Sequence, residues 1–188
     1  PKSGTWETAE IYLSGNVKKK LVEAQEAAKQ DWRFLDNVRS LEKVQPEDVP
    51  AEKIFFQIGA TWIPTRIYEQ IARDILQSAT TVKYNPNVNI WSVVGDSRIT
   101  TPFQTDRMTA VDIFKDLLRN KDIVVYDRDA DGRPYVQMEW TTQARAKADD
   151  MQRAFKAWAL EVPERRDVLA REFNEKVNTT IEMRPDGS

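Results

Sequence analysis

The sequence predicts an α+β domain, mostly helical, with two short antiparallel strand pairs packed against amphipathic helices. Three observations lead there. Apolar residues recur at helical spacing through successive stretches of the chain. That period gives way twice to short runs of β-branched and aromatic residues, around Asn85-Pro86-Asn87 and around Asp131-Gly132. The composition, 40% hydrophobic with six Trp, five Tyr and seven Phe, is too apolar for a disordered segment. At 188 residues the chain is long enough for one substantial core, or two small subdomains, without covalent staples.

The elements follow in order. Asn16 is placed to cap a helix whose Val17, Leu21, Ala24 and Ala28 share a face. A second helix, from Arg33 to about Leu41, offers Phe34, Leu35, Val38 and Leu41 before Pro46 and Pro50 break the chain. The two read as an antiparallel hairpin over 14–45. Lys53 to Ile58 fits either a strand or a buried turn, and Gly59 ends it. Pro64 suits the first turn of a helix to about Gln77, which is expected to bury Ile67, Ile71 and Ile75, with Tyr68, Ala72 and Leu76 alongside.

Thr81–Tyr84 and Ile90–Val93 read as strands, and Thr109–Leu118 as a helix carrying Ala110, Phe114, Leu117 and Leu118. Ile123–Tyr126 and Tyr135–Met138 read as a second strand pair around the hairpin dipeptide Asp131-Gly132. A long helix aligns Ala144, Ala148, Met151, Phe155 and Trp158, and Pro163 ends it while opening another that carries Leu169, Phe173 and Val177. The expected organisation is one domain over 1–180, comprising the hairpin 14–45, a mixed middle 52–140 and a C-terminal helical pair 141–178. Residues 181–188 are expected to be a linker.

Absences narrow the chemistry. With no Cys and no His, the usual zinc sites, thiol nucleophiles, disulfides and imidazole bases lose their residues. Neither GxxxxGK[ST] nor GxGxxG occurs, so no nucleotide fingerprint is present. No stretch approaches the roughly 20 apolar residues that span a bilayer. A cytoplasmic protein with no membrane partner, no metal or cofactor in this segment and no catalytic residues is the expectation. The net charge of −2 provides no global attraction for nucleic acid, so any DNA contact has to be local.

The remaining motifs each have a simpler reading. Asp127–Gly132 matches the opening of a calcium-binding loop, but position twelve is Met138 rather than glutamate, which favours a hairpin turn. The pair Asp149-Asp150 is one of many adjacent pairs expected among thirty acidic residues. Basic and aromatic residues interleave at Trp62, Arg66, Tyr68 and Arg73, and again at Lys83, Tyr84, Trp91 and Arg98. Such residues stack bases and hold phosphates, although Trp and Tyr are more often core. With the basic run Lys18-Lys19-Lys20, the candidate DNA contacts are Lys18, Lys19, Lys20, Arg66, Arg73, Lys83 and Arg98.

Several stretches also resemble a family of very large bacterial proteins, common on phages, plasmids and conjugative elements, that join an adenine-specific DNA methylase-like region to a SNF2-like helicase. They are Tyr12 to Val17 with Lys20-Leu21, Leu41 to Asp48, Gly59 to Pro64, Val82 to Pro86 with Trp91, Val125 to Asp127, Phe173 to Asn178 and Asp186 to Ser188. Where the family pattern has Tyr-Asn-Glu-Arg-Phe-Asn, this chain has Phe173 and Lys176-Val177. The resemblance implies an accessory segment between the methylase-like half and the helicase motor, with those neighbours and DNA as partners. ATP and S-adenosylmethionine would then be used elsewhere in the parent. No catalytic residue is carried over. The expected role is to position DNA or couple the enzymatic halves, the alternative being a docking scaffold that touches no DNA.

Overall fold

The structure, a computed structural model, describes residues 7–182 apart from Ser97 and Ile99. Its class is α+β: the described residues form seven α-helices and three two-stranded antiparallel sheets. By contacts the chain divides into two compact units that do not follow its order, one from residues 1–54 and 170–188, the other from residues 55–169.

The first unit opens on a short helix α1 (Ala9–Tyr12) and strand β1 (Gly15–Asn16). Helix α2 (Val17–Gln30) follows, with the Asn16 side chain accepting from the Lys19 amide at 2.9 Å as anticipated. The second helix starts later than its apolar pattern suggests. Asp31 caps a 3-10 turn at Trp32–Phe34, so α3 spans only Leu35–Lys43 and leaves Trp32 and Leu35 exposed. Val17, Ala24 and Leu41 form the buried centre of this unit, with Leu21, Val38 and Val44 against them.

In the second unit, Phe56 and Ile58 are buried while Phe55 is 75% exposed, an alternation typical of a strand, yet no strand pairs with it. Gln152 takes that role. Its amide donates to the Phe56 carbonyl at 2.6 Å and accepts from the Ile58 amide at 2.9 Å, so the question left open by the sequence resolves as an extended segment hydrogen-bonded to a helix side chain. Helix α4 (Thr65–Asp74) ends three residues before the expected Gln77, because Gln77 turns into the left-handed region at φ 52°. Leu76 is buried as expected, whereas Ile75 is only partly buried.

Strands β2 (Thr81–Asn85) and β3 (Ile90–Val94) pair with Tyr84 opposite Trp91, and the inward positions Val82, Trp91 and Val93 are buried. Helix α5 (Ala110–Leu118) is capped by Thr109 and closes in a Schellman arrangement, Lys121 N–H to Asp116 O and Asn120 N–H to Leu117 O, with Asn120 at φ 49°. Burial raises the Asp116 carboxyl above its ordinary range, against the pull of Lys121 and Arg119.

The second expected strand pair is displaced. Strands β4 (Tyr126–Arg128) and β5 (Pro134–Val136) are shorter than predicted, and every residue of β5 is exposed. Ile123–Val125 is not part of it: the Val125 carbonyl accepts from the Gln137 amide at 2.8 Å, but the Val125 amide donates to the Thr141 hydroxyl at 3.0 Å, where a ladder partner was expected. Met138 belongs to α6 (Met138–Glu161), capped by Gln137, rather than to a strand.

Along α6 the anticipated face of Ala144, Ala148, Met151, Phe155 and Trp158 is buried. The Tyr68 ring lies 5.5 Å from Trp91, 6.4 Å from Phe114 and 6.0 Å from Phe155, so one side chain joins α4, the hairpin, α5 and α6. Its hydroxyl, buried with the ring, accepts from Gly59 N–H at 3.0 Å and lies 2.9 Å from the Ala60 carbonyl. Desolvation raises its pKa.

Helix α7 (Pro163–Lys176) begins at the proline as expected, and the unit boundary falls within it, between Leu169 and Ala170. Of its anticipated apolar row Leu169 is buried, whereas Val177 is exposed. Strand β6 (Thr180–Ile181) then pairs with β1, a third strand pair that the sequence reading lacked. Ile181, assigned there to the linker, packs against the Val17, Ala24 and Leu41 cluster. The remainder of the expected linker, from Met183 to Ser188, lies outside the described residues.

Candidate functional site

The seven candidate DNA contacts divide between the two units. In the first, two of the three lysines serve the fold. Lys20 Nζ donates to the carbonyls of Ile11 (2.9 Å), Tyr12 (3.2 Å) and Ser14 (3.0 Å), gathering the end of α1. Lys18 Nζ donates to the Asn174 carbonyl at 2.6 Å and lies 3.7 Å from the Asp48 carboxylate. Lys19 is exposed, 4.0 Å from Glu23 on the same helix. An ammonium already holding three carbonyls is poorly placed to clamp a phosphate.

Asn174, 5% exposed, is fully engaged in this unit. Its amide donates to the carbonyls of Val49 and Ala170, both at 2.9 Å, and accepts from the Val49 amide and Asn178 Nδ2, both at 2.8 Å. Asn178 also donates to the Glu47 carbonyl at 2.8 Å, and Gln45 to those of Leu41 (2.7 Å) and Val17 (3.3 Å). The stretches 12–21, 41–48 and 173–178, far apart in sequence, are thus brought together by side chains that bond backbone.

In the second unit, Arg66 and Arg73 lie on the solvent side of α4, opposite the buried Ile67 and Ile71. Lys83 is on the exposed face of β2, and α4 meets that strand where Glu69 accepts from the Val82 amide at 2.9 Å. Arg98 is paired with Asp96 at 2.9 Å, and that guanidinium holds the Asp96 carboxyl down at about 2. The interleaved aromatic residues are largely core: Tyr68 is fully buried and Trp91 is 5% exposed.

The Asp127–Gly132 segment forms the β4–β5 turn. Asp129 Oδ1 accepts from the amides of Asp131 (2.9 Å) and Arg133 (2.8 Å), and Gly132 takes φ 77°. Asp150 is ion-paired with Arg153. Among the described residues no group of three or more Asp or Glu is arranged to hold a metal ion, and no helix is long and apolar enough to cross a membrane.

What the sequence reading missed is a cleft of about 420 Å³ in the second unit. Backbone 57–61 forms one wall, and Trp62, Asn89, Trp91, Arg119 and Asn120 complete it. Gly59 makes this wall possible. At φ 96° it lies so close to the end of α5 that an added Cβ would stand 2.7 Å from the Leu117 carbonyl oxygen. Arg119 Nε reaches the Trp91 carbonyl at 3.4 Å, and Tyr84 donates to Asn89 Oδ1 at 2.9 Å. One signal was present in the sequence: Asn directly after an apolar helix run favours the left-handed capping position that Asn120 adopts.

A family model described as a domain of unknown function, DUF8437, matches residues 57–179, well over half of the 188. The chain belongs to the DUF8437 family. Neither the curated proteins nor the solved structures give a match. The DUF8437 match contains the cleft, the Tyr68 cluster and both Asn174 and Asn178.

Proposed function

We propose that this domain is a non-catalytic accessory module of a large DNA helicase and methylase protein, positioning DNA or coupling the enzymatic halves. The observation that carries the non-catalytic part is the use made of the polar residues in the stretches that resemble such proteins. Lys20, Gln45, Asn174 and Asn178 all donate to backbone carbonyls, which is the work of holding a fold. Those stretches therefore mark a structural module, and the chemistry belongs to neighbouring domains, where ATP and S-adenosylmethionine would be consumed. A cytoplasmic setting accompanies that role.

The DNA part has its support in exposed cations on the second unit, Arg66, Arg73 and Lys83, none of which is buried in the core. Fluorescence anisotropy with labelled duplex and single-stranded DNA, at low and moderate salt, tests it. Binding that weakens as salt rises is expected; absence of binding even at low salt overturns the DNA role, because phosphate contacts strengthen as counterions are diluted.

A docking role without DNA has its own observation. The β4–β5 pair exposes Tyr126 at 60%, Tyr135 at 49% and Val136 at 41%, followed by Met138 at 65%. Loss of co-purification with the parent's adjoining domains on Tyr126→Ser and Val136→Ser, with DNA binding unchanged, would favour that reading.

A further inference from the structure

We propose that the cleft bounded by Trp62, Asn89, Arg119 and Asn120 binds a single unstacked nucleotide, either free or as one residue of single-stranded DNA. The chemistry of its lining selects this class. It carries no carboxylate, and its one formal charge is the Arg119 guanidinium at the rim, so it suits an anion better than a cation. Arg119 Nε donates to the Trp91 carbonyl, and its terminal nitrogens make no hydrogen bond among the described residues, which leaves a two-pronged donor of the kind that suits a phosphate. Two of the carbonyls closing α5, those of Leu117 and Asp116, accept from the Asn120 and Lys121 amides and are already engaged.

The rest of the lining suits a planar heterocycle. Trp62 is half-buried against Phe56, at a centroid distance of 6.0 Å, and contributes an indole to the wall. Asn120 is exposed and Asn89 Nδ2 makes no hydrogen bond among the described residues, so two primary amides border the space. An amide offers donor and acceptor side by side, the pattern that the edge of a base requires. The volume of about 420 Å³ falls in the range of small-ligand sites, roughly 300–1,000 Å³, and is sufficient for one nucleotide.

The single-strand arm rests on the DNA reading above, whereas the free-nucleotide arm does not. The full chain would be titrated calorimetrically with each of the four deoxynucleoside monophosphates, and by anisotropy with a short labelled mixed-sequence single strand. Two variants accompany it. Asn89 and Asn120 have φ of 51° and 49°, so Asn89→Gly with Asn120→Gly removes both amides at positions where glycine is unstrained. Arg119→Gln removes the rim charge.

We expect the double glycine variant to keep its thermal midpoint while losing roughly tenfold or more in affinity for both ligands. Arg119→Gln is expected to lower the slope of log affinity against log salt by roughly 0.7 for the strand. Wild-type affinity in both variants overturns the cleft as the site even if the strand binds, and the DNA reading then survives alone. Cleft-dependent binding of a free nucleotide without any strand binding at low salt upholds the site and removes the DNA reading. No heat with any nucleotide and no strand binding overturns both.

Discussion

Single side chains replace whole backbone partners at three places in this molecule. Gln152 does so for Phe56 and Ile58, Thr141 for the Val125 amide, and Asn174 for Val49. Each leaves a backbone donor or acceptor unpaired when truncated, and a buried orphan costs about 1–3 kcal/mol. Asn174→Ala is therefore expected to lower stability by roughly 2–3 kcal/mol, read as a drop in urea midpoint without a change in slope. Asn174→Asp should recover part of that loss by restoring the acceptor for Val49 N–H. Gly59→Ala is expected to cost at least about 2 kcal/mol by the same measurement, since φ 96° disfavours a Cβ and the Leu117 carbonyl occupies its place.

At the scale of elements, α5 is the best delimited. Thr109 accepts from the Asp112 amide at 3.1 Å, its hydroxyl donates to the Asp112 carboxylate at 2.7 Å, and Asn120 closes the other end. Thr109→Ala should cost about 1 kcal/mol in equilibrium unfolding, and a neutral result would remove the cap from the account of this helix. Asp116, near the C-terminal end of α5, carries a carboxyl whose folded pKa is raised by burial. A raised acid stabilises the fold below its unfolded pKa, and that contribution disappears as pH rises through the raised value. Asp116→Asn is accordingly expected to remove a decline in stability just above the ordinary carboxylate range, seen by comparing thermal midpoints across acidic pH.

For the whole molecule, the first unit is closed by the end of the chain: β6 pairs with β1, and Asn174 and Asn178 hold the backbone of residues 47–49. Amide hydrogen exchange on Asn174→Ala should therefore show faster exchange through α2 and α3, with α4 to α6 retaining their protection. Uniform acceleration across both units would contradict the division. Lys20→Met belongs to this scale too. It should loosen α1 and leave the salt dependence of any DNA binding unchanged, because that ammonium is engaged by three carbonyls.

The α+β class and its elements were legible from local signals: the Asn16 cap, the strand runs of β2 and β3, and the long face from Ala144 to Trp158. Apolar period and cap chemistry act over a few residues, so neighbours in sequence suffice to reveal them. The same locality explains what was misread. Nothing near Ile123–Val125 indicates that Thr141 will take its hydrogen bonds, and nothing in Thr180-Ile181 announces a partner at Gly15-Asn16. The basic run Lys18-Lys19-Lys20 reads as a charged surface until its carbonyl partners arrive from α1 and α7. The cleft likewise draws on segments 57–62, 89–91 and 118–120, which become neighbours only when Tyr68 gathers its helices and hairpin. Residue types and element boundaries are set by short-range chemistry, whereas which polar group is already occupied is decided by long-range packing.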